Sequence, residues 1–184
     1  VISDIDDTIK NSDVIHKKAL IEHLFFKDYE ATPGMPRFYA ELKKQGAYFH
    51  YISASPWQLY PSLKPFLDAH YPKGFLSLRY FRVPDRSFIR FFKSSMDYKI
   101  DTISTIIDRY PQHEFILIGD SGENDPEVYA AIFQRYPQNI KKILIREVRG
   151  SDTGPDRKKQ VFASVPDSKW NFYDIPLLTR ELFD

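Results

Sequence analysis

The sequence predicts a doubly wound α/β domain built on a parallel sheet. Short apolar runs alternate with longer stretches of helical period. The runs are continuous rather than alternating, as in strands covered by helices on both faces. Turn residues or charges bound each of them.

Taken in order, Val1 to Ile5 is the first strand. Pro36 opens a helix with Tyr39, Leu42 and Lys43 at helical spacing, a stripe expected to face the core. Tyr48 to Ile52 forms the second strand, and Ser55-Pro56-Trp57 sets a capping side chain before a proline at the first helical position. Leu76 to Phe81 is the third strand, followed by a stripe of Ile100, Ile103, Ile106 and Ile107 on a helix led by Lys99. Phe115 to Ile118 is the fourth strand, with a second cap at Asp125-Pro126-Glu127, and Lys142 to Glu147 is the fifth. From Gly150 through Lys159 the text is polar and reads as a mobile loop, after which Trp170 to Phe183 is aromatic enough to pack back.

The 184 residues, 42% hydrophobic and 16% aromatic, suit one compact domain spanning 1–184 and exclude general disorder. Lys plus Arg number 26 against 25 Asp plus Glu, so no overall field recommends nucleic acid as a partner. With no cysteine there is neither a disulfide framework nor a thiolate metal site. No apolar run reaches the length of a membrane span and no secretory signal is visible, so the expectation is a cytoplasmic protein, free or peripherally attached to a membrane. Because Val1 already lies inside the first strand, an N-terminal segment or domain is expected before it.

Acidic residues gather at two strand ends. Asp4, Asp6 and Asp7 close the first strand, and Gly119-Asp120-Ser121-Gly122-Glu123-Asn124-Asp125 closes the fourth. Ligands of an open sheet sit where strand order reverses, and the order 5-4-1-2-3 makes strands one and four neighbours at that point. Converging carboxylates repel, so a cation or bound protons must hold them together. Mg²⁺ would take the Asp4 side chain, the Asp6 backbone carbonyl and the Asp120 side chain. Asp4 can then attack phosphorus in line while Asp6 serves the leaving oxygen as acid. Thr8 would position Asp6, and Asp125 would cap its helix while orienting the metal's waters.

Other readings of these residues are weaker. An acidic turn bonding its own backbone explains a lone Asp-x-Asp but not the second cluster. A calcium loop starting at Asp120 fails at its sixth position, Asp125, and its twelfth, Ala131. At the second strand's end Ser53 is the candidate phosphate ligand, with Ser55 better suited to an N-cap. The anionic substrate also needs a fixed cation, for which Lys99 is the candidate and Lys93 the rival.

Asp4-Ile5-Asp6-Asp7-Thr8, Ser53, Lys99 and Gly119-Asp120 with Asp125 match in order the four motifs of the haloacid dehalogenase superfamily, which this chain resembles. The resemblance implies a Rossmann-like sheet, an aspartyl-phosphate at Asp4, acid/base work by Asp6, phosphate held by Ser53 and Lys99, and Mg²⁺ on Asp4, Asp6 and Asp120. More narrowly, Asp4 to Lys10, Tyr51 to Tyr60 and Ile118 to Tyr129 resemble the catalytic domain of actin-patch-protein-type phosphatidate phosphatases. That likeness implies hydrolysis of phosphatidate to diacylglycerol and phosphate.

About 45 residues on either side of Ser53 leave little room for a folded cap, which favours an open cleft and a bulky, membrane-embedded phosphate ester. Arg79, Arg82, Arg86, Phe88, Arg90 and Phe91 mix aromatics with cations as an anionic phospholipid surface requires. A buried edge strand and a loop with solvated arginines explain the same residues equally well. A soluble phosphomonoester is the alternative substrate, and a non-catalytic membrane or protein adaptor the alternative class.

Overall fold

The computed structural model describes residues 1–11, 29–80 and 88–173, with the backbone alone for 88–94. At its centre is a sheet of six parallel strands: β1 (Ile2–Asp4), β4 (Phe49–Pro56), β5 (Gly74–Arg79), β6 (Phe115–Asp120), β7 (Ile140–Arg146) and β8 (Trp170–Tyr173). Their order is β5-β4-β1-β6-β7-β8. This is the expected order with one strand added at an edge, and the reversal falls between β1 and β6.

Two apolar layers cover the sheet. Helices α1 (Met35–Lys44) and α2 (Tyr60–His70) bury Phe38, Tyr39, Leu42, Leu63 and Phe66 against Phe49, Tyr51 and Ile118. On the other face α3 (Phe88–Arg109) and α4 (Asp125–Arg135) bury Ile103, Ile107, Val128 and Ile132 against Ile2, Ile52, Leu117 and Ile143. Successive strand residues point to opposite faces, so each strand feeds both layers, and burial on both sides explains the continuous apolar runs.

Several boundaries depart from expectation. Val1 and Ile5 lie outside β1, Tyr48 lies outside β4 and is 79% exposed, and Glu147 lies past β7. β4 instead runs on through Ser53 to Pro56, because backbone pairing with β5 continues past a register shift where the apolar run has stopped. Ile100 is only half-buried while Ile103, Ile106 and Ile107 are buried, and Lys43 is exposed where Tyr39 and Leu42 are not. Phe81 lies outside the described residues.

Four elements were not foreseen. Short strands β2 (Lys10–Asn11) and β3 (Glu30–Ala31) pair antiparallel beside the first acidic cluster. β8 arises where the aromatic tail adds to β7, with Ile143 opposite Trp170 and Arg146 opposite Tyr173. The stretch expected to be a polar, mobile loop contains helix α5 (Pro155–Val161). Charge rather than burial holds it: Arg157 pairs with Glu127 at 2.8 Å, and Lys158 pairs with Glu147.

Candidate active site

Alternation along β1 decides what meets what. Ile2 joins the α3 and α4 layer; Ser3 turns away, its hydroxyl 2.7 Å from Tyr39 Oη; and Asp4 returns to the face of Ile2. On that face α3 presents Ile107, Ile106, Ile103 and, one turn earlier, Lys99. The isoleucine stripe therefore ends in an ammonium, and Lys99 Nζ stands 2.7 Å from Asp4 Oδ1. Lys99 does not lead its helix as the sequence suggested, since α3 begins at Phe88.

After Asp4 the chain folds back sharply. Asp7 takes a left-handed φ of 56°, and the amides of Ile9 and Lys10 both donate to Ile5 O at 3.0 Å. Arg146 Nη1 secures the turn by donating to Asp7 O. The reversal carries Thr8 under β1, with its hydroxyl 3.3 Å from Asp4 Oδ2 and 3.3 Å from Asp120 Oδ2. The two carboxylates thus lie within reach of one hydroxyl. Thr8, expected beside Asp6, bridges the two acidic clusters instead.

The second cluster is held by its own loop. Asp120 Oδ1 accepts from the amides of Gly122 at 2.7 Å and Glu123 at 3.1 Å, which leaves Oδ2 facing Thr8 and Asp4. Asp125 is not the expected cap; α4 has no side-chain cap bond. Its carboxylate is drawn inward, Oδ2 accepting from Asp120 N at 3.2 Å and Oδ1 lying 2.6 Å from Lys99 Nζ. Glu123 Oε2 is the third acceptor on Lys99, at 3.0 Å. Sequence reading gave Glu123 no role, although it stands in the same loop.

Asp6 belongs to a separate pocket at the end of β4. Its Oδ1 is 2.6 Å from Lys10 Nζ, and its Oδ2 accepts from the hydroxyls of Ser53 at 2.8 Å and Ser55 at 3.1 Å. Ser55 therefore is no helix cap: the turn after it has no side-chain cap bond, and its amide instead donates to Ser53 Oγ at 3.0 Å. Lys10 also carried no assigned role, though its place four residues after Asp6 was the available signal. The ammonium lies 4.6 Å from the centre of the Tyr29 ring, linking Asp6 to the residue just before β3.

Electrostatics divide the site in two. Burial raises the Asp4 carboxyl well above the ordinary range, partly opposed by Lys99 and reinforced by Asp125, Glu123 and Asp120. Asp120 and Asp125 are raised as well, burial leading in both. Burial would lower Lys99, but Asp125, Asp4 and Glu123 overcome it and hold the ammonium charged. Asp6 goes the other way: burial is outweighed by the charge of Lys10 and by hydrogen bonds from Lys10, Ser53 and Ser55, which depress its pKa well below the carboxylate range.

Asp4, Glu123 and Asp125 offer oxygens within 4.8 Å of one another, a grouping that can hold a metal ion. Lys99 already stands among these three, so the positive charge at that spot is the ammonium. Asp4 Oδ2 and Asp120 Oδ2 face the other side, toward Thr8.

Of the suggested membrane contacts, Arg79 is half-buried at the end of β5, while Arg82 and Arg86 lie outside the described residues. Phe88, Arg90 and Phe91 fall in α3 rather than in a loop, and their side chains, like that of Lys93, are not described. Among the described residues no helix is long and apolar enough to cross a membrane. Residues 12–28 are also outside the described set.

Residues 1–147 match the family model described as "Phosphatidate phosphatase APP1, catalytic domain". Phosphatidate phosphatase APP1 of Saccharomyces cerevisiae is 35% identical over 150 residues, covering 79% of this chain and 25% of that protein. An uncharacterized protein of Schizosaccharomyces pombe is 30% identical over 163 residues, covering 86% of this chain and 27% of its own length. The chain thus spans about a quarter of the length of the curated relatives it matches. Both acidic clusters, Ser53 and Lys99 fall inside the matched span, and the chain belongs to the family of phosphatidate phosphatase APP1 catalytic domains.

Proposed function

We propose that this domain is a Mg²⁺-dependent phosphatase that hydrolyses phosphatidate, or a closely similar lipid phosphomonoester, through an aspartyl-phosphate at Asp4. The observation that carries this reading is the meeting of Asp4 and Asp120 at one hydroxyl, with Lys99 on the far oxygen of Asp4. The family match supplies the substrate class.

The donor set suits a hard divalent cation. Asp4 and Asp120 are buried, both raised by burial, and each has an oxygen directed at the other cluster. Asp4 Oδ2, Asp120 Oδ2 and the Asp6 carbonyl would hold Mg²⁺, which when bound neutralises charge on the phosphoryl oxygens and on the carboxylates.

This assignment leaves Asp4 Oδ1 as the nucleophile. Attack by Oδ1 forms the oxygen–phosphorus bond as the bond from phosphorus to the ester oxygen breaks, and Asp6 gives a proton to the departing alkoxide. Water then attacks phosphorus, Asp6 takes its proton, and phosphate leaves as the Asp4 carboxylate is regenerated. Because Lys10 and the two serines hold Asp6 ionised at rest, the second half-reaction is the one this geometry favours. For the first, Asp6 has to be protonated before the alkoxide departs. Ser53 and Lys99 would bind the phosphoryl oxygens, the serine by turning from Asp6.

Peripheral attachment to an anionic membrane fits a lipid substrate, with the basic and aromatic residues of 79–91 as the contact. Rates on micellar phosphatidate and on soluble phosphate esters, each with and without Mg²⁺, test the proposal. Preference for the lipid with full dependence on the ion is expected. Faster turnover of a soluble ester would transfer the domain to a soluble substrate, and no phosphate release from any ester would end the hydrolase reading.

A further inference from the structure

Lys99 has no proton left to give. An ammonium carries three N–H donors, and the described partners of Lys99 Nζ are three carboxylates: Asp4 at 2.7 Å, Asp125 at 2.6 Å and Glu123 at 3.0 Å. A phosphoryl oxygen can reach the ammonium only if one of them withdraws.

The three are not equally able to do so. Asp125 is fully buried and its other oxygen is tied to the Asp120 amide. Asp4 is 2% exposed and is the group that must remain to react. The Glu123 side chain is 35% exposed, stands on the open side of the loop, and makes the longest of the three contacts. Its own backbone is fixed by the bond from its amide to Asp120, so the side chain can swing out while the loop stays in place.

From this count we infer that Glu123 keeps the place of a phosphoryl oxygen on Lys99 and is expelled when the phosphate group binds. It is a positioning residue that sets how tightly the site takes an oxyanion. The inference rests on the phosphatase reading only in assuming that Lys99 binds the phosphate. A dianionic phosphoryl group drives the exchange because it brings more charge to the ammonium than the carboxylate it replaces.

Binding of inorganic phosphate, measured by calorimetry in the presence of Mg²⁺, tests this without turnover. Removing one partly exposed ion-pair competitor is worth up to a roughly fivefold change in affinity. Phosphate is therefore expected to bind roughly fivefold more tightly to Glu123→Ala than to the unaltered domain. Glu123→Gln, whose amide oxygen still accepts from Lys99 but carries no charge, should fall between them. If Glu123 instead holds Lys99 in place, the order reverses. If it is a ligand of the divalent ion, both variants need more Mg²⁺ and bind phosphate more weakly. Either result overturns the inference, as does equal binding by all three proteins. Melting curves show whether each variant is folded, and the partly exposed position of Glu123 suits both substitutions. Should the expected order appear in a domain that hydrolyses no ester, the phosphatase reading fails and the place-keeping role stands.

Discussion

Gly119 lies directly against the Asp125 carboxylate: a Cβ at position 119 would stand 2.4 Å from Asp125 Oδ2 and 2.7 Å from its Cβ. Asp125 can retreat only by giving up its contacts with Lys99 and the Asp120 amide, which hold its two oxygens. The glycine is required for the close approach of loop to strand end and not for an unusual φ.

Gly119→Ala should therefore displace Asp125, and Lys99 with it. Overpacking of this kind costs about 1–3 kcal/mol. A lowered melting temperature together with a large loss of turnover is expected, read by calorimetry and phosphate release. An alanine variant with unchanged activity would contradict the geometry.

Asp120 links the site to pH. Its carboxyl is raised by burial first and by Asp125 and Glu123 next, so the folded state binds its proton more tightly than the unfolded state does. Folding stability from this group is then lost as pH rises above the ordinary carboxyl value of 3.8 toward the raised value. Without divalent ion, Asp120→Asn should gain in melting temperature relative to the unaltered domain as pH rises above about 4. Asp4 and Asp125 share the effect and keep part of it in the variant. Added Mg²⁺ should stabilise the unaltered domain and not the variant. Parallel pH profiles for the two proteins would contradict the assignment.

His50 runs in the opposite sense. Burial first, with Arg109 adding to it, lowers its pKa to about 4 from an ordinary value of 6.5. Being neutral when folded, it adds stability that is present above the unfolded value and lost as pH falls toward about 4. NMR titration of the ring checks this, and an inflection near 6.5 would contradict the burial argument. The ring donates to or accepts from Ser77 Oγ at 2.8 Å beside a cleft of about 330 Å³, at the opposite ends of the strands from Asp4.

Lys10 and Asp6 form a largely buried pair at 2.6 Å, with side chains 6% and 17% exposed. Breaking such a pair on one side costs about 3 kcal/mol or more. Lys10→Met should destabilise the domain by that order in urea unfolding, and adding Asp6→Asn should return most of the loss. Strict additivity of the two substitutions would show that they do not interact.

The strand order and the convergence of Asp4 with Asp120 were legible because strands buried on both faces write continuous apolar runs, and acidic turns mark their ends. Lys99 was legible as a cation but not as the last step of the isoleucine stripe, since α3 starts well before it, at Phe88, in a basic and aromatic stretch that reads equally well as a membrane contact or a loop. β8 and the β2–β3 pair escaped notice because strands so short are made by backbone pairing rather than by side-chain pattern. α5 was hidden by being held through ion pairs with Glu127 and Glu147, which leave no hydrophobic period. Ser55 and Asp125 look like caps locally, yet each turns to a distant charge, the serine to Asp6 and the aspartate to Lys99. Long-range electrostatics overrode local turn chemistry in both.

The central claim is that Asp4 itself becomes phosphorylated. Rapid acid quench of the domain with Mg²⁺ and phosphate-labelled phosphatidate, followed by peptide mass spectrometry, reads this directly. The account predicts label on Asp4 that disappears on longer incubation and is absent from Asp4→Asn, which also releases no phosphate. Hydrolysis at an undiminished rate by purified Asp4→Asn would contradict it.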